Sequence, residues 1–453
     1  MATDKDSKSQ GLWSQIVDVR PEEWPQALLM AAYFFLVITT FWILKPLKKT
    51  QFVEFYDTSG FELLNWTFSA AQAEQLAKVL NMVVALFAAM AFASLSRRFR
   101  REKLTYVFCA FLVLCFAGFT PLFEAPGPGT VWSFYLFGDM YNTLMVASFF
   151  AFLNDSVTAD GAKRLYGLIV LGAVGGGAFG TTILSAYIDD FAVPVWLWIS
   201  AGLSVGIAVL AGAAGARFRS SGQISEKPAP DAKLDQSVPA KKASALDGAR
   251  MVFRSRYLLS IALILGLYEM VSALMDFQFT SAVAHYLDGE AIGAHFATVY
   301  AITNWVAFFV QLFLTSLVMR RFGVGVALLV LPAAALLSSG GFLVMPVLLT
   351  GSALLVSDNA LNYSINQSAR EALYVPTTRE EKYQAKAFID MFVQRFAKAL
   401  AVGLSLGVTS FISGIEGVRW LSILTLVILV AWIRVAWFAG KEFDRLTADD
   451  SSS

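Results

Sequence analysis

Along this chain the hydrophobic positions gather into long unbroken runs, without the two-residue alternation of strands. Such runs recur near 27–44, 76–95, 104–122, 131–153, 165–188 and 193–215, and after a polar interval near 257–281, 295–318, 325–345, 346–366, 384–412 and 418–439. A helix needs about 20 apolar residues to cross the hydrocarbon core of a bilayer. The pattern therefore predicts an all-α membrane protein with twelve transmembrane helices in two six-helix halves, residues 1–216 and 257–440. Residues 217–256, rich in Ala, Ser, Pro and Lys, hold too little apolar surface to fold alone and read as a linker, and 441–453 as a tail. No small-residue cleavage site follows the run at 27–44, which reads as a retained span.

Composition excludes a soluble reading: 57% of residues are hydrophobic and 15% charged, against roughly 25% charged in ordinary soluble domains. Charge position sets the orientation. Arg97, Arg98, Arg100, Arg101 and Lys103 follow span 2, Lys163 and Arg164 span 4, Arg320 and Arg321 span 8, and Lys441 and Arg445 span 12. Loops rich in Lys and Arg stay in the cytoplasm, so both termini are expected there, in a cell inner membrane. Cys109 and Cys115 share one apolar run six residues apart, and neither a disulfide nor a metal site follows. Ser94-Leu-Ser-Arg-Arg-Phe99 after span 2 corresponds in place to Ser316-Leu-Val-Met-Arg-Arg-Phe322 after span 8. This six-plus-six repeat resembles the major facilitator superfamily, which implies a substrate site near the midplane between the halves.

Candidate chemistry lies where charge interrupts apolar sequence. An ionisable group at the bilayer centre costs about 2.5–3.5 kcal/mol and marks a cavity or a partner. Span 11 carries Lys386, Asp390, Arg395 and Lys398. Lys45, Lys48 and Lys49 end span 1 on the side that the charge rule assigns to the exterior, with Pro46 expected to open the helix end. Glu269, Ser272 and Asp276 share one face of span 7; Asp139, Asn142 and Thr143 do so in span 4; Asn304 and Gln311 lie seven apart in span 8. Asp358 and Asn362 mark span 10, and all these faces are expected to turn toward a cavity or toward each other. A Lys386–Asp390 ion pair within span 11 is one structural alternative. Gly172, Gly176 and Gly180 repeat every four residues and predict close helix packing. His285 and His295 read as interfacial, and Tyr33, Trp42 and Tyr141 as packing residues able to stack on a base. No metal-ligand set or catalytic dyad is readable, which excludes the common hydrolase patterns.

Three segments carry a resemblance. Arg370-Glu-Ala-Leu-Tyr-Val-Pro376, then Glu381-Lys382, Lys386-Ala-Phe-Ile-Asp390 and Arg395-Phe-Ala-Lys398, is similar to the pattern Lys-Glu-x-Ala-Tyr-Ile-Pro, Lys, Gly-Lys-Ala-x-Ile-Asp, Arg-x-Gly-Lys. Asn154-Asp155 with Ala162-Lys-Arg-Leu-Tyr166 is similar to Asn-Asp, Ala-Lys-Arg-x-Tyr, and Lys45-Pro-Leu-Lys48 stands where Arg-x-x-Lys-Asp is found. These are patterns of the ATP/ADP translocases of plastids and intracellular bacteria. The resemblance implies exchange of a nucleoside triphosphate for a diphosphate, an antiporter and not an enzyme, with ATP, ADP or a related anion as partner in the lipid bilayer. It implies no cofactor, metal or nucleic acid, and a monomer is compatible with it. Lys45 and Lys48 match the span 1 cations, Lys386, Arg395 and Lys398 those of span 11, and Glu371 the acidic loop partner; Asp155, Glu269, Asp276, Asn304 and Asp390 complete the candidate substrate site.

The chain departs from the pattern at Lys49, Ala399 and Leu400, and exchanges the cation type at Lys45 and Arg370, where Lys and Arg grip phosphate differently. An empty site rich in cations would resist closure, a physical reason for exchange over one-way transport. Two other readings remain open on the residues alone. One is a proton-coupled carrier of another organic anion using Glu269, Asp276 or Asp139; the other is a membrane-embedded enzyme.

Overall fold

A computed structural model describes residues 23–156, 159–220 and 245–452. Helix α1 is Trp24–Asp57; a hairpin of β1 (Phe61–Leu63) and β2 (Trp66–Phe68) follows. Then come α2 (Ala70–Arg98), α3 (Arg101–Leu122), α4 (Pro128–Ser156), α5 (Ala159–Tyr187) and α6 (Val193–Ser220). The second part holds α7 (Ala245–Arg254), α8 (Arg256–Tyr286), α9 (Glu290–Phe309), α10 (Ser316–Val344), α11 (Leu348–Leu361), α12 (Gln367–Ala372), α13 (Arg379–Phe388), α14 (Gln394–Phe411) and α15 (Gly414–Ser452). π-helical turns at Val310–Thr315, Asn362–Asn366 and Ile389–Val393 join α9 to α10, α11 to α12 and α13 to α14. Ten stretches among the described residues are long and apolar enough to cross a membrane. The chain is a multi-pass, predominantly helical membrane protein.

The described residues divide into two compact units: 23–49 with 83–220, and 50–82 with 245–452. In the first, α5 packs against α1 through the predicted glycine stripe. A Cβ on Gly172, Gly176 or Gly180 would lie 2.7, 2.4 or 2.7 Å from the carbonyl oxygens of Ala31, Phe35 and Thr39. Only hydrogen fits at this backbone approach, which the Thr39 hydroxyl pins by donating to Gly176 O at 3.1 Å. Tyr33 and Tyr141 are fully buried here; Tyr33 pairs hydroxyls with Thr105 and Tyr141 donates to Val37 O.

The first helix corrects one expectation. It does not open at Pro46 but runs on to Asp57. Proline removes one backbone donor, yet Leu47, Phe52, Val53 and Tyr56 beyond it are all buried, and their packing carries the helix through. The lysine cluster therefore sits inside a long helix, not at its end.

The β-hairpin is a small addition to an otherwise α-helical architecture. Phe61 pairs with Phe68 and Leu63 with Trp66, and the two-residue turn Leu64-Asn65 has positive φ at both positions, the geometry that suits the right-handed strand twist. In the second unit, the polar faces read from sequence meet one another: Ser272 on α8 donates to Asp358 on α11 at 2.6 Å. Gln278 on α8 donates to Val418 O and Ser422 on α15. Helix α7, within the stretch read as linker, packs on α13 so tightly that a Cβ on Gly248 would lie 2.8 Å from Gln384 O.

Candidate functional site

In the first unit the site begins with Lys48. It is buried, its ammonium pairs with Asp139 on α4, and it lies 4.3 Å from the Tyr135 ring centroid. Glycine at 138 makes room for it, since a Cβ there would stand 2.7 Å from Lys48 Cδ. Lys45, one turn earlier, holds its ammonium 4.5 Å from the Trp42 ring. Both ammonium groups thus lie beside aromatic rings, and that of Lys48 also meets a carboxylate. The side chain of Asp155 lies outside the described residues.

In the second unit, Thr378 and Glu381 form a reciprocal capping box that starts α13. The helix so fixed presents Lys386, whose ammonium donates to both Glu371 oxygens at 2.7 Å. Lys386 thus pairs across the loop; Asp390, its alternative partner from sequence, accepts from Gln394 at 2.9 Å within the π turn. The Tyr374 ring lies 5.5 Å from the Lys386 ammonium, and its buried hydroxyl has no hydrogen-bond partner among the described residues. Burial pushes that phenol up from its ordinary range, so it stays protonated and keeps an O–H to donate. Arg370 stacks 4.9 Å over Tyr268. Glu269 lies within electrostatic reach of Lys398, Arg370 and Asp390.

The structure thus brings Glu269, Glu371, Lys386, Asp390 and Lys398 together with Arg370. Three other candidates are engaged elsewhere in the unit. Arg395 donates to the carbonyl of Met82 on α2 at 3.2 Å. Asn304 is buried and donates to Tyr300 O on its own helix. Asp276 pairs with Lys78 on α2, and Lys78 also bonds Glu74 at 3.1 Å. Sequence reasoning passes over Glu74, which precedes the run at 76–95, and Lys78, because Glu-Lys four apart is a common solvated helix pair. The available signal was Lys78 itself, a cation inside the apolar run at 76–95.

The geometry describes cations held by carboxylates beside buried aromatics, with no group of three or more metal-ligating side chains among the described residues. A "Crystal structure of nucleoside transporter NupG" shares 12% identity, covers 93% of this chain and 99% of that one, and aligns with a TM-score of 0.59. The inward-open xylose transporter XylE from E. coli shares 10%, covers 92% and 95%, and aligns at 0.56. These likenesses show a fold of the major facilitator kind.

Among curated relatives, "ADP,ATP carrier protein 2" of Chlamydia pneumoniae is 25% identical over 249 residues, 50% of this chain and 46% of that protein. The chloroplastic "ADP,ATP carrier protein 1" of Arabidopsis thaliana is 22% identical over 355 residues, 71% of this chain and 56% of that one. The chain spans about half the length of the curated relatives it matches. Residues 130–443, most of the chain and all of the span 11 charges, match the model of the TLC ATP/ADP transporter family, and the protein belongs to that family.

Proposed function

We propose that this chain is an antiporter that exchanges a nucleoside triphosphate for a diphosphate, ATP for ADP, by alternating access across a bacterial inner membrane. Both termini are cytoplasmic in this reading, and the chain crosses twelve times. The 55-residue stretch Glu290–Val344 would be about 80 Å long if straight, more than twice a hydrocarbon core of roughly 30 Å. It is broken at Gly323, whose φ is 81°, so it counts as two crossings. Helices α11 and α12, continuous through their π turn over 348–372, supply the twelfth.

The observation that carries the reading is the Lys386–Glu371 pair with its surroundings. Arg370, Lys386 and Lys398 stand within electrostatic reach of the carboxyl groups of Glu269, Glu371 and Asp390. A phosphate would bind by replacing Glu371 on Lys386, with the Tyr374 hydroxyl as a further donor. In this unit the Lys386 ammonium already has a carboxylate on it, so the empty site holds at least one cation that is paired. In this reading the carboxylate returns to the lysine as the anion leaves.

The test uses purified full-length protein in liposomes loaded with ADP and given labelled external ATP. Uptake that requires internal nucleotide is the expected result. Equal uptake into empty liposomes would remove the exchange mechanism, and failure to bind any nucleotide would remove the substrate assignment.

A further inference from the structure

The hairpin does more than connect α1 to α2. Trp66 on β2 forms part of the wall of a cavity of about 440 Å³ whose other walls come from α2, α8, α14 and the start of α15, all in the second unit. That volume falls within the roughly 300–1,000 Å³ of small-molecule clefts. Phe277 and Val418 lie buried in it, while His285, Ser410 and Ser413 are exposed along it and Trp66 is 63% exposed. The wall is fixed: Gln72 donates to Thr409 and accepts from the Ser69 backbone, both at 2.9 Å. A second observation bears on occupancy. The Trp66 indole N–H, the His285 ring and the hydroxyls of Ser281 and Ser413 have no hydrogen-bond partner among the described residues.

No residue lining the cavity carries a carboxylate, an ammonium or a guanidinium. Ionised phosphate would lose water there without a cation to replace it. An uncharged planar ring with hydroxyls fits instead, stacking on indole or imidazole while serine hydroxyls meet its polar edge. We propose that this cavity binds a nucleoside, or the base and ribose of a nucleotide, at a site that shares no residue with the charged cluster around Lys386. The choice of a nucleoside among such ligands rests on the proposed nucleotide exchange.

The experiment is equilibrium binding of labelled adenosine to full-length protein in nanodiscs, with and without saturating inorganic tripolyphosphate. Adenosine should bind in both conditions. Trp66→Ala should weaken it about 5- to 100-fold, the range of base stacking on an aromatic side chain, and Ser281→Ala with Ser413→Ala should weaken it further. Trp66 is exposed, so the variant is expected to fold, and an unchanged thermal midpoint verifies this. Wild-type adenosine affinity in Trp66→Ala and in the serine variant, displacement by tripolyphosphate, or no adenosine binding at millimolar concentration would each overturn the site. If adenosine binds as described but ATP-for-ADP exchange is absent, the transport reading fails and the cavity assignment stands. If exchange is present and Trp66→Ala binds adenosine normally, only the cavity assignment fails.

Discussion

Replacing Lys78 by methionine tests whether buried charge pairing holds the second unit together. Lys78 stands between Glu74 and Asp276, and Thr280 adds a hydroxyl to Glu74 at 3.1 Å. Side-chain exposures are 13% for Lys78, 1% for Glu74 and 20% for Asp276, too low for a surface pair worth about 0–1 kcal/mol. Removing one partner of a buried pair costs about 3–5 kcal/mol, because the remaining charge loses that counter-ion. Since two of the three groups keep some solvent access, the lower end applies, about 3 kcal/mol. At roughly 2–4 °C per kcal/mol for a unit of this size, the thermal midpoint should fall by about 6–12 °C. The informative comparison is the triple variant Lys78→Met, Glu74→Gln, Asp276→Asn, which removes all three charges at similar volume. Neutral replacement of a whole buried ion set is often harmless, so this variant should regain most of the lost midpoint in the same thermal scan. A fall below about 2 °C in the single variant, or a triple variant no better than the single, would refute the argument that charge imbalance sets the effect.

Lys386→Ala should change the midpoint by under about 1 kcal/mol equivalent, since its pair with Glu371 is partly exposed. Labelled ATP uptake should nevertheless fall roughly 10- to 100-fold, the worth of a hydrogen bond to a charged group, with Arg395→Ala as the comparison for a cation turned to a backbone carbonyl. Gly176→Val places a Cβ 2.4 Å from Phe35 O and should destabilise by about 1–3 kcal/mol. Gly403→Ala, with nothing within 4 Å, should be neutral or stabilise by up to about 1 kcal/mol in the same unfolding assay. Gly138→Val keeps every charge but presses on the Lys48 stem, and should lower exchange while leaving expression unchanged, as read by uptake per milligram of reconstituted protein.

What sequence revealed, and what it hid, follows from the range of each interaction. The apolar runs and the Gly172, Gly176, Gly180 stripe depend on spacing along one helix, and spacing alone dictates that the glycines share a face; their contact with Ala31, Phe35 and Thr39 follows once a neighbour is chosen. The continuation of α1 past Pro46 was hidden because it is decided by the burial of Phe52 and Tyr56, which no local rule encodes. The π turns were hidden too, since one inserted residue leaves the hydrophobic pattern nearly unchanged. Charges fall between these cases. Lys48, Asp139, Lys386 and Asp276 could each be marked as out of place by their apolar setting, but a mark gives a location without a partner. Pairing is non-local: Lys48 finds Asp139 ninety-one positions away by the numbering of the chain, and Asp276 finds Lys78 one hundred and ninety-eight away. Where two candidate partners existed for one cation, the nearer in sequence lost. Asp390 sits one helical turn from Lys386, yet Glu371 across the loop takes both hydrogen bonds. Glu371, at the end of α12, is set squarely onto the ammonium by the connection between α12 and α13, whereas the π turn at Ile389–Val393 fixes Asp390 toward Gln394. The Lys386–Glu371 pair is also open to water, with side-chain exposures of 34% and 55%, so an incoming anion can reach the ammonium and the released carboxylate can be solvated, which is the property a displaceable counter-ion needs.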